Sequence, residues 1–214
     1  MIAREFFEVG ESGKFVEHFG LDEDPVLWLR KINFAILDML GVSRGTKRNI
    51  PPGCYVGKDV FIHESVQLPP VCVIEGPAYI DEGTNIRPFA YVRENVIIGK
   101  NCLIGNSCEL KNSVLLHNIQ VPHFNYVGDS VLGNFVHLGA GVILANLRLD
   151  RKNIVIHYKG ERVETGMKKI GAIIGDYSEI SCNSVINPGT ILPKNSMVIN
   201  GQVKRVLGTE KAIG

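Results

Sequence analysis

Aliphatic residues recur at every sixth position through a long stretch of this chain. Counting in steps of six from Val56 meets only Ile, Leu or Val: Val56, Ile62, Leu68, Ile74, Ile80, Ile86, Val92, Ile98, Ile104, Leu110 and Leu116. The spacing resumes in a shifted phase at Tyr126, Leu132, Leu138 and Leu144, and again at Ile174, Ile180, Ile186, Leu192 and Val198. A fixed period over this length indicates a repeat architecture, in which each unit buries its apolar edge against its neighbours.

Glycine is over-represented, with 23 residues in a chain of 214. Several glycines directly follow an aliphatic position of the repeat: Gly57, Gly99, Gly105, Gly133, Gly139 and Gly175. We interpret these as corner positions, where a side chain would obstruct the bend. Each hexad then supplies a short strand and a tight corner, and successive coils stack at the strand spacing of ~4.8 Å.

The first fifty residues lack the period and predict helices. Asp24 is a candidate N-cap for a helix that begins at Pro25 and stops near Gly41. One apolar stripe runs along it: Trp28, Ile32, Ala35, Ile36, Met39 and Leu40. A shorter helix is predicted over residues 12–19. We expect residues 1–50 to form a helical cap that closes the open end of the first coil, with a partner-binding helix as the alternative. Residues 51–206 would form the repeat domain and 207–214 a tail.

Charge and cysteine content exclude several classes of protein. The formal net charge is +1, which argues against a general binder of nucleic acid or of membrane surfaces. The N-terminal residues lack a long apolar stretch and include Glu5, so we expect no signal peptide. The most apolar segment is short and contains Asp38, so we expect no membrane span. The five cysteines contain no CxxC pair. We therefore expect reduced thiols, a cytoplasmic location and no metal site.

Two interruptions of the period, at residues 117–125 and 147–173, predict loops that project from the scaffold. Residues 147–170 hold seven Lys or Arg against three Asp or Glu, in a chain that is nearly neutral overall. This local excess favours a phosphorylated ligand, with a merely solvated loop as the alternative.

Four short motifs then follow one another in a fixed order and spacing: Tyr91-Val92-Arg93, Glu109-Leu110-Lys111-Asn112-Ser113, His123-Phe124-Asn125-Tyr126-Val127-Gly128-Asp129 and Leu138-Gly139-Ala140-Gly141. With the hexads, they resemble the hexapeptide-repeat acyltransferases. The match is closest to the glucosamine-1-phosphate N-acetyltransferase domain at the C-terminus of bifunctional UDP-N-acetylglucosamine pyrophosphorylases. The run from Ala145 to Asp176 is most similar to the archaeal-type branch. The resemblance covers roughly residues 55 to 200.

The resemblance implies a mainly β fold, a single-stranded left-handed parallel β-helix with a small α-helical N-terminal cap. Three hexads form one coil in that family, which implies roughly six to seven coils here. The nucleotidylyltransferase domain of the bifunctional enzymes, with its Gly-rich phosphate loop, has no counterpart in these residues. We therefore expect no release of pyrophosphate from UTP and N-acetylglucosamine 1-phosphate.

The resemblance also implies an acetyl-CoA-dependent N-acetyltransferase acting on an amino-sugar 1-phosphate, in UDP-N-acetylglucosamine biosynthesis. His123 would be the general base, a role that suits histidine because an imidazole can take up and release a proton near neutral pH. Arg93 and Lys111 would hold the sugar phosphate, Tyr126 would bind the phosphosugar and Asn146 would lie near the amine.

Other matched positions concern the co-substrate and the assembly. Ala140 and Cys182 would approach CoA, and Lys152, Lys168 and Lys169 would attract its phosphates or lie free in solvent. His137 stands in a substrate-binding position where the family usually has Asn, which bears on sugar specificity. A homotrimer is implied, with the site between neighbouring subunits.

Two alternatives of different class remain open. One is a scaffold or sugar-phosphate sensor that keeps the fold without turnover. The other is a zinc-dependent hydratase similar to the γ-type carbonic anhydrases, which take three His ligands at a subunit interface. His117, His123 and His137 would be its candidate ligands.

Overall fold

The computed structural model describes residues 1–9, 14–42, 49–199 and 202–206, so the proposed tail at 207–214 lies outside the described residues. The N-terminal part contains a 3-10 turn (Ala3–Glu5), helix α1 (Lys14–His18), a second 3-10 turn (Pro25–Leu27) and helix α2 (Trp28–Val42). The strands up to the first long connection are β1 (Gly53–Val56), β2 (Val60–Ile62), β3 (Val71–Ile74), β4 (Ala78–Ile80), β5 (Asn85–Ile86), β6 (Tyr91–Val92), β7 (Val96–Ile98), β8 (Leu103–Asn106), β9 (Glu109–Lys111), β10 (Ser113–Leu115), β11 (Gln120–His123), β12 (Tyr126–Gly128), β13 (Val131–Leu132), β14 (His137–Leu138) and β15 (Ile143–Leu144). The remaining strands are β16 (Val155–Tyr158), β17 (Glu161–Glu164), β18 (Ala172–Ile174), β19 (Glu179–Ile180), β20 (Val185–Ile186), β21 (Thr190–Leu192), β22 (Ser196–Ile199) and β23 (Gln202–Val206).

Three seven-stranded sheets form the sides of a prism, which confirms the predicted parallel β-helix. The first face has the strand order β1-β3-β6-β9-β12-β15-β20, and the second has β2-β4-β7-β10-β13-β18-β21. The third face runs β5-β8-β11-β14-β19-β22, and β23 adds antiparallel to its last edge. The aliphatic residues of the period stack inside: Ile62 pairs with Ile80 and Ile80 with Ile98, each buried. Every coil thus covers the apolar edge of the one before it.

The prediction of a projecting loop at residues 117–125 is wrong. Gln120–His123, in the middle of this segment, form strand β11 of the third face, where Val121 pairs with Ile104 and is fully buried. The shift in the period has another cause. Val92 pairs with Leu110 eighteen residues on, whereas Leu110 pairs with Val127 only seventeen residues on. Val127 in turn pairs with Leu144, again seventeen residues on. Two successive coils, each shortened by one residue, therefore move the phase by two positions while the chain stays in the prism.

Between β15 and β18 the chain does leave the prism. Strands β16 and β17 form an antiparallel hairpin there, with Tyr158 opposite Glu161. Tyr158 Oη and Lys159 Nζ both donate to Glu5 Oε2, at 2.9 and 2.7 Å. The hairpin is therefore tied to the N-terminal segment as well as to the prism.

A side chain at these glycines would obstruct the fold, as expected, and the obstacle is the backbone of the neighbouring coil. No positive φ is found at Gly57 or Gly105, but an added Cβ would lie 1.9 Å from the Glu75 carbonyl oxygen at the first and 1.6 Å from that of Pro122 at the second. These glycines allow neighbouring coils to approach closely. The left-handed backbone at corners is instead adopted largely by other residues, such as Asn95 with φ of 60°.

The N-terminal helix begins much as predicted. The Asp24 carboxylate accepts a hydrogen bond from Val26 N at 2.9 Å, and Pro25 opens the 3-10 turn that leads into α2. Helix α2 continues one residue beyond Gly41, to Val42. Of the helix predicted over residues 12–19, residues 14–18 form α1, whereas 12 and 13 lie outside the described residues.

Helix α2 packs against the side of the prism, in contact with β7 and β10 of the second face. This differs from the expected position over the end of the first coil. The reason is an outward-facing apolar row on the second face, in which Ile97, Val114, Val131 and Ile173 pair in succession and are buried. Covering this row removes its apolar surface from water, which favours packing of the helix along the side.

Within the described ranges, no helix combines the length and the apolar character that crossing a membrane requires.

Candidate functional site

Four of the predicted substrate-binding residues lie together on the first face. Arg93 follows β6, Lys111 ends β9, Tyr126 begins β12 and Asn146 lies two residues after β15. Strands β6, β9, β12 and β15 are consecutive neighbours in that sheet, so these residues come from four adjacent coils, ~4.8 Å apart. The structure thus brings together residues that are more than fifty positions apart in sequence.

The two cations of this group already contact carboxylates of their own chain. Arg93 Nη1 donates to Glu109 Oε1 at 2.9 Å, and its Nε lies 3.5 Å from Glu94 Oε2 without forming a hydrogen bond. Lys111 Nζ lies 3.6 Å from the other oxygen of Glu94. The hydrogen bond that Arg93 donates to Glu109 is the main cause that raises the pKa of Arg93. An arriving anion would compete with two carboxylates for these side chains.

Tyr126, Asn146 and Asp129 form a hydrogen-bonded group beside these cations. Asn146 Nδ2 donates to Tyr126 Oη at 3.1 Å and to Asp129 Oδ2 at 2.5 Å. Asn112 Nδ2 donates to the other oxygen of Asp129 at 2.8 Å. Burial is the main cause that raises the pKa of Tyr126, so its phenol stays protonated at neutral pH.

The backbone at Gly128 lies directly beneath the contact between Tyr126 and Asn146. A Cβ built there would meet the Tyr126 hydroxyl at 2.6 Å and the Asn146 amide nitrogen at 2.7 Å. The absence of a side chain is therefore what lets the two polar groups meet.

His123 lies at the other end of strand β12 from these cations. It ends β11 at the corner that leads into the first face, and its side chain is exposed. The backbone is held firmly, since His123 N donates to Asn125 Oδ1 at 3.0 Å and its carbonyl accepts from Gly141 N at 2.9 Å. Buried Asn125 in turn donates to the Gly139 carbonyl. The imidazole is thus an accessible titratable group on a fixed backbone, three residues before Tyr126.

The other two candidate histidines lie elsewhere. His137 belongs to β14 of the third face, and its Nδ1 lies 2.8 Å from Glu179 Oε2, so it is not part of the first-face group. His117 Nδ1 accepts from Lys100 N at 2.9 Å, and burial lowers the pKa of this half-buried ring. Across the described part of the chain, no three His, Cys, Asp or Glu side chains come together as metal ligands.

The residues expected near CoA fall into two places. Ala140 and Cys182 lie at neighbouring corners of the third face, where Asn183 N donates to the Ala140 carbonyl at 2.8 Å. Cys182 is an exposed free thiol. These two residues are therefore adjacent in space although forty-two positions apart.

Lys152, Lys168 and Lys169 lie on the long connection between β15 and β18, and all three are exposed. Lys152 borders a cavity of about 350 Å³ beside the hairpin. Its other basic lining residues are Arg148, His157 and Arg162. Part of this charge is neutralised locally, since Arg148 forms a two-pronged contact with Asp150 at 2.8 and 2.7 Å.

Sequence reasoning missed three acidic residues of the site, Glu94, Glu109 and Asp129. Glu109 and Asp129 stand inside the quoted motifs but were given no role, because their importance depends on contacts across coils. A signal was present for Asp129. The same corner holds Asn95 and Asn112 in the two preceding coils, so Asp129 differs from its immediate neighbours, although the first coil also has an aspartate there, Asp59.

Comparison with known proteins places this site within a family. Residues 74–206 match the family model described as the GMPPB C-terminal domain. A bifunctional sugar-1-phosphate nucleotidylyltransferase/acetyltransferase from Sulfurisphaera tokodaii is 36% identical, over 66% of this chain and 38% of the relative. The bifunctional protein GlmU from Methanococcus aeolicus is 38% identical, over 59% of this chain and 35% of the relative. The chain therefore spans little more than a third of the length of these relatives.

Among solved structures, a mutant perosamine N-acetyltransferase from Caulobacter crescentus, in complex with CoA and GDP-perosamine, aligns with a TM-score of 0.37 and 14% identity. The alignment covers 88% of this chain and 76% of that one, but a likeness this distant carries no argument. The family match, by contrast, extends over more than half of the chain and includes every first-face residue of the site. The chain belongs to the GMPPB C-terminal domain family.

Proposed function

We propose that this chain transfers an acetyl group from acetyl-CoA to the amine of an amino-sugar 1-phosphate. One observation carries the proposal: Arg93, Lys111, Tyr126 and Asn146 come from four successive coils of one face. The exposed ring of His123 lies at the corner that leads into this face, three residues before Tyr126. The names of the curated relatives, which include an acetyltransferase, support the same class of reaction.

The reaction needs one proton acceptor and no covalent enzyme intermediate. The amine nitrogen attacks the thioester carbonyl, and the C–S bond breaks as the new C–N bond forms. His123 takes the proton that the amine loses and returns one to the departing CoA sulfur. An exposed imidazole on a fixed backbone suits this role, because the ring would be accessible both to the amine of the sugar and to the thioester of acetyl-CoA.

The sugar phosphate would bind Arg93 and Lys111. Arg93 can present two N–H groups to one phosphate, and Lys111 adds a point charge. Binding must displace Glu94 and Glu109 from these cations. The two carboxylates thereby hold the Arg93 and Lys111 side chains in place before substrate arrives.

We further propose a homotrimer in which a neighbouring subunit completes the cleft. The first face carries outward groups that a partner could cover, including Tyr55 at 60% and Val185 at 55% exposure. Ala140 and Cys182 lie on the third face, away from the cations, so CoA would reach the site along the corner between the two faces. Measurement of the mass in solution tests the trimer.

Release of free thiol, followed with a chromogenic disulfide, tests the reaction. The panel pairs glucosamine 1-phosphate, galactosamine 1-phosphate and unphosphorylated glucosamine with acetyl-, propionyl- and succinyl-CoA. We expect release with acetyl-CoA and an amino-sugar 1-phosphate, and much less with the unphosphorylated sugar. Calorimetric binding of a sugar phosphate without thiol release under any pairing would contradict the proposal and favour the sensor class.

A further inference from the structure

Asp129 is a buried carboxylate at a corner where the fold does not need one. It is 5% exposed and has a φ of 47°. Asn95 and Asn112 occupy the same corner in the preceding coils, with φ of 60° and 44°. At each of the three, the backbone N–H bonds to the residue eighteen positions earlier, so the local geometry is shared. Asn adopts this conformation readily, and a buried carboxylate costs more to desolvate than an amide.

The carboxylate of Asp129 fixes the orientation of the Asn146 amide, which an amide at position 129 would not do. Ionised Asp only accepts hydrogen bonds, and its two oxygens are taken by the amide nitrogens of Asn146 and Asn112. The Asn146 side chain cannot turn over, because its carbonyl oxygen would then face the carboxylate. An Asn at position 129 could either donate or accept and would allow both orientations.

Fixing Asn146 in turn fixes Tyr126. Both hydrogens of the Asn146 amide nitrogen are used, one on Asp129 and one on the Tyr126 hydroxyl. The Asn146 carbonyl oxygen remains as an acceptor for a further group. The Tyr126 hydroxyl, which accepts from Asn146, keeps its own hydrogen for donation.

We propose that Asp129 is a positioning residue that sets the hydrogen-bond polarity of the acceptor site. It makes Asn146 an acceptor for a substrate N–H and Tyr126 a donor to a substrate oxygen. This inference rests on the proposed function and deepens it. The site then selects molecules that present an N–H donor beside an oxygen acceptor, and it disfavours those with the opposite arrangement.

Asp129→Asn tests the proposal, since it preserves size and backbone preference. We expect kcat for the amino-sugar 1-phosphate to fall by about 10-fold to 100-fold, with the KM for acyl-CoA unchanged. Asp59→Asn is the matched control: the same chemical change at the same corner in the first coil, where the side chain is exposed. It should leave both constants as they are. Asp129→Gly suits the positive φ and should reproduce the loss if the Asn variant folds poorly.

A second readout does not require turnover. The negative charge of Asp129 contributes to the raised pKa of Tyr126. The phenol should therefore titrate at lower pH in Asp129→Asn, and ultraviolet difference spectra assign that step by its loss in Tyr126→Phe. If the native chain releases no thiol, the proposed function fails, but the Tyr126 titration still tests the network. Unchanged kinetics in Asp129→Asn, or an unchanged Tyr126 titration, would overturn the positioning role.

Discussion

Tyr126 and Asn146 meet over the bare backbone of Gly128, with 3.1 Å between the hydroxyl oxygen and the amide nitrogen. A methyl group at position 128 would lie 2.6 and 2.7 Å from these atoms, and both side chains would have to move. We expect Gly128→Ala to lower kcat/KM for the amino-sugar phosphate by about 100-fold, because displacement of binding groups by about an ångström has effects of that order.

The loss in Gly128→Ala should appear in kinetics and much less in the melting temperature. Gly128 has no positive φ, so alanine introduces no backbone strain. Gly41→Ala is the matched control, since its added Cβ meets nothing within 4 Å. Equal activity of the two variants would contradict the importance of the contact between Tyr126 and Asn146.

His123→Ala removes the proposed base without disturbing the fold, because the ring is exposed and the backbone contacts remain. Thiol release should fall by roughly 100-fold to 10,000-fold, the usual contribution of a general base. His63→Ala, just after β2 and outside the candidate site, should be as active as the native chain. Native turnover in His123→Ala would refute the assigned role.

Asp176 should anchor the N-terminal segment to the prism. Its fully buried carboxylate accepts from Glu8 N and from Asn134 N, both at 2.6 Å. Asp176→Ala leaves these N–H groups without their partner, so the free energy of unfolding should fall by about 1–3 kcal/mol. Denaturant unfolding measures the loss, and faster amide exchange near Glu8 would locate it. Asp22→Ala, at an exposed ion pair with Arg4, should cost far less.

His117 should make the stability depend on pH. Burial lowers the pKa of this ring below its ordinary value of 6.5. The charge of Asp81 opposes this with a smaller effect, and the charge of Lys100 adds to the lowering. The unfolded chain therefore takes up the proton at a higher pH than the folded chain. This contribution to stability is complete above about pH 6.5 and is lost as the pH falls through that value towards the folded pKa.

His117→Asn separates this titration from the hydrogen bond. The Asn carbonyl can accept from Lys100 N in place of Nδ1, but it does not ionise. Unfolding free energies at about pH 7.5 and about pH 5 should differ less in this variant than in the native chain. An equal difference in the two proteins would show that other groups cause the loss of stability at low pH. His157→Asn, at an exposed site, is the control.

The fold was largely predictable because every coil buries one aliphatic residue per strand against its neighbours, so the same pattern recurs along the sequence. Inward positions such as Val92 and Leu110 follow directly from the six-residue period. Counting residues failed at Tyr126, because the shortened coil makes Val127 the buried residue instead. The packing of helix α2 against the second face was also not predicted. Adjacent apolar residues at Ile97 and Ile98 mark a strand buried on both sides, which calls for a covering element.

The site was predictable only in part, and through resemblance to a family. Arg93 and Lys111 do lie together on one face, whereas His137 lies on another. Asp129 could not be assigned a role from sequence, since its role depends on burial and on two amides from neighbouring coils. Residue type suggests which groups can act, but their partners appear only once the coils are stacked.

The anchor between Glu8 and Asp176 also imposes an order of folding. Its partners are 168 residues apart, and Lys194 joins Glu8 from still further along the chain. Residues 1–9 can thus complete their contacts with the prism only after the coil that carries Asp176 has formed. Because closing a loop over such a separation is slow, we expect docking of this segment to be a late step of folding. Its contacts would then join the first described residues to one of the last coils of the prism.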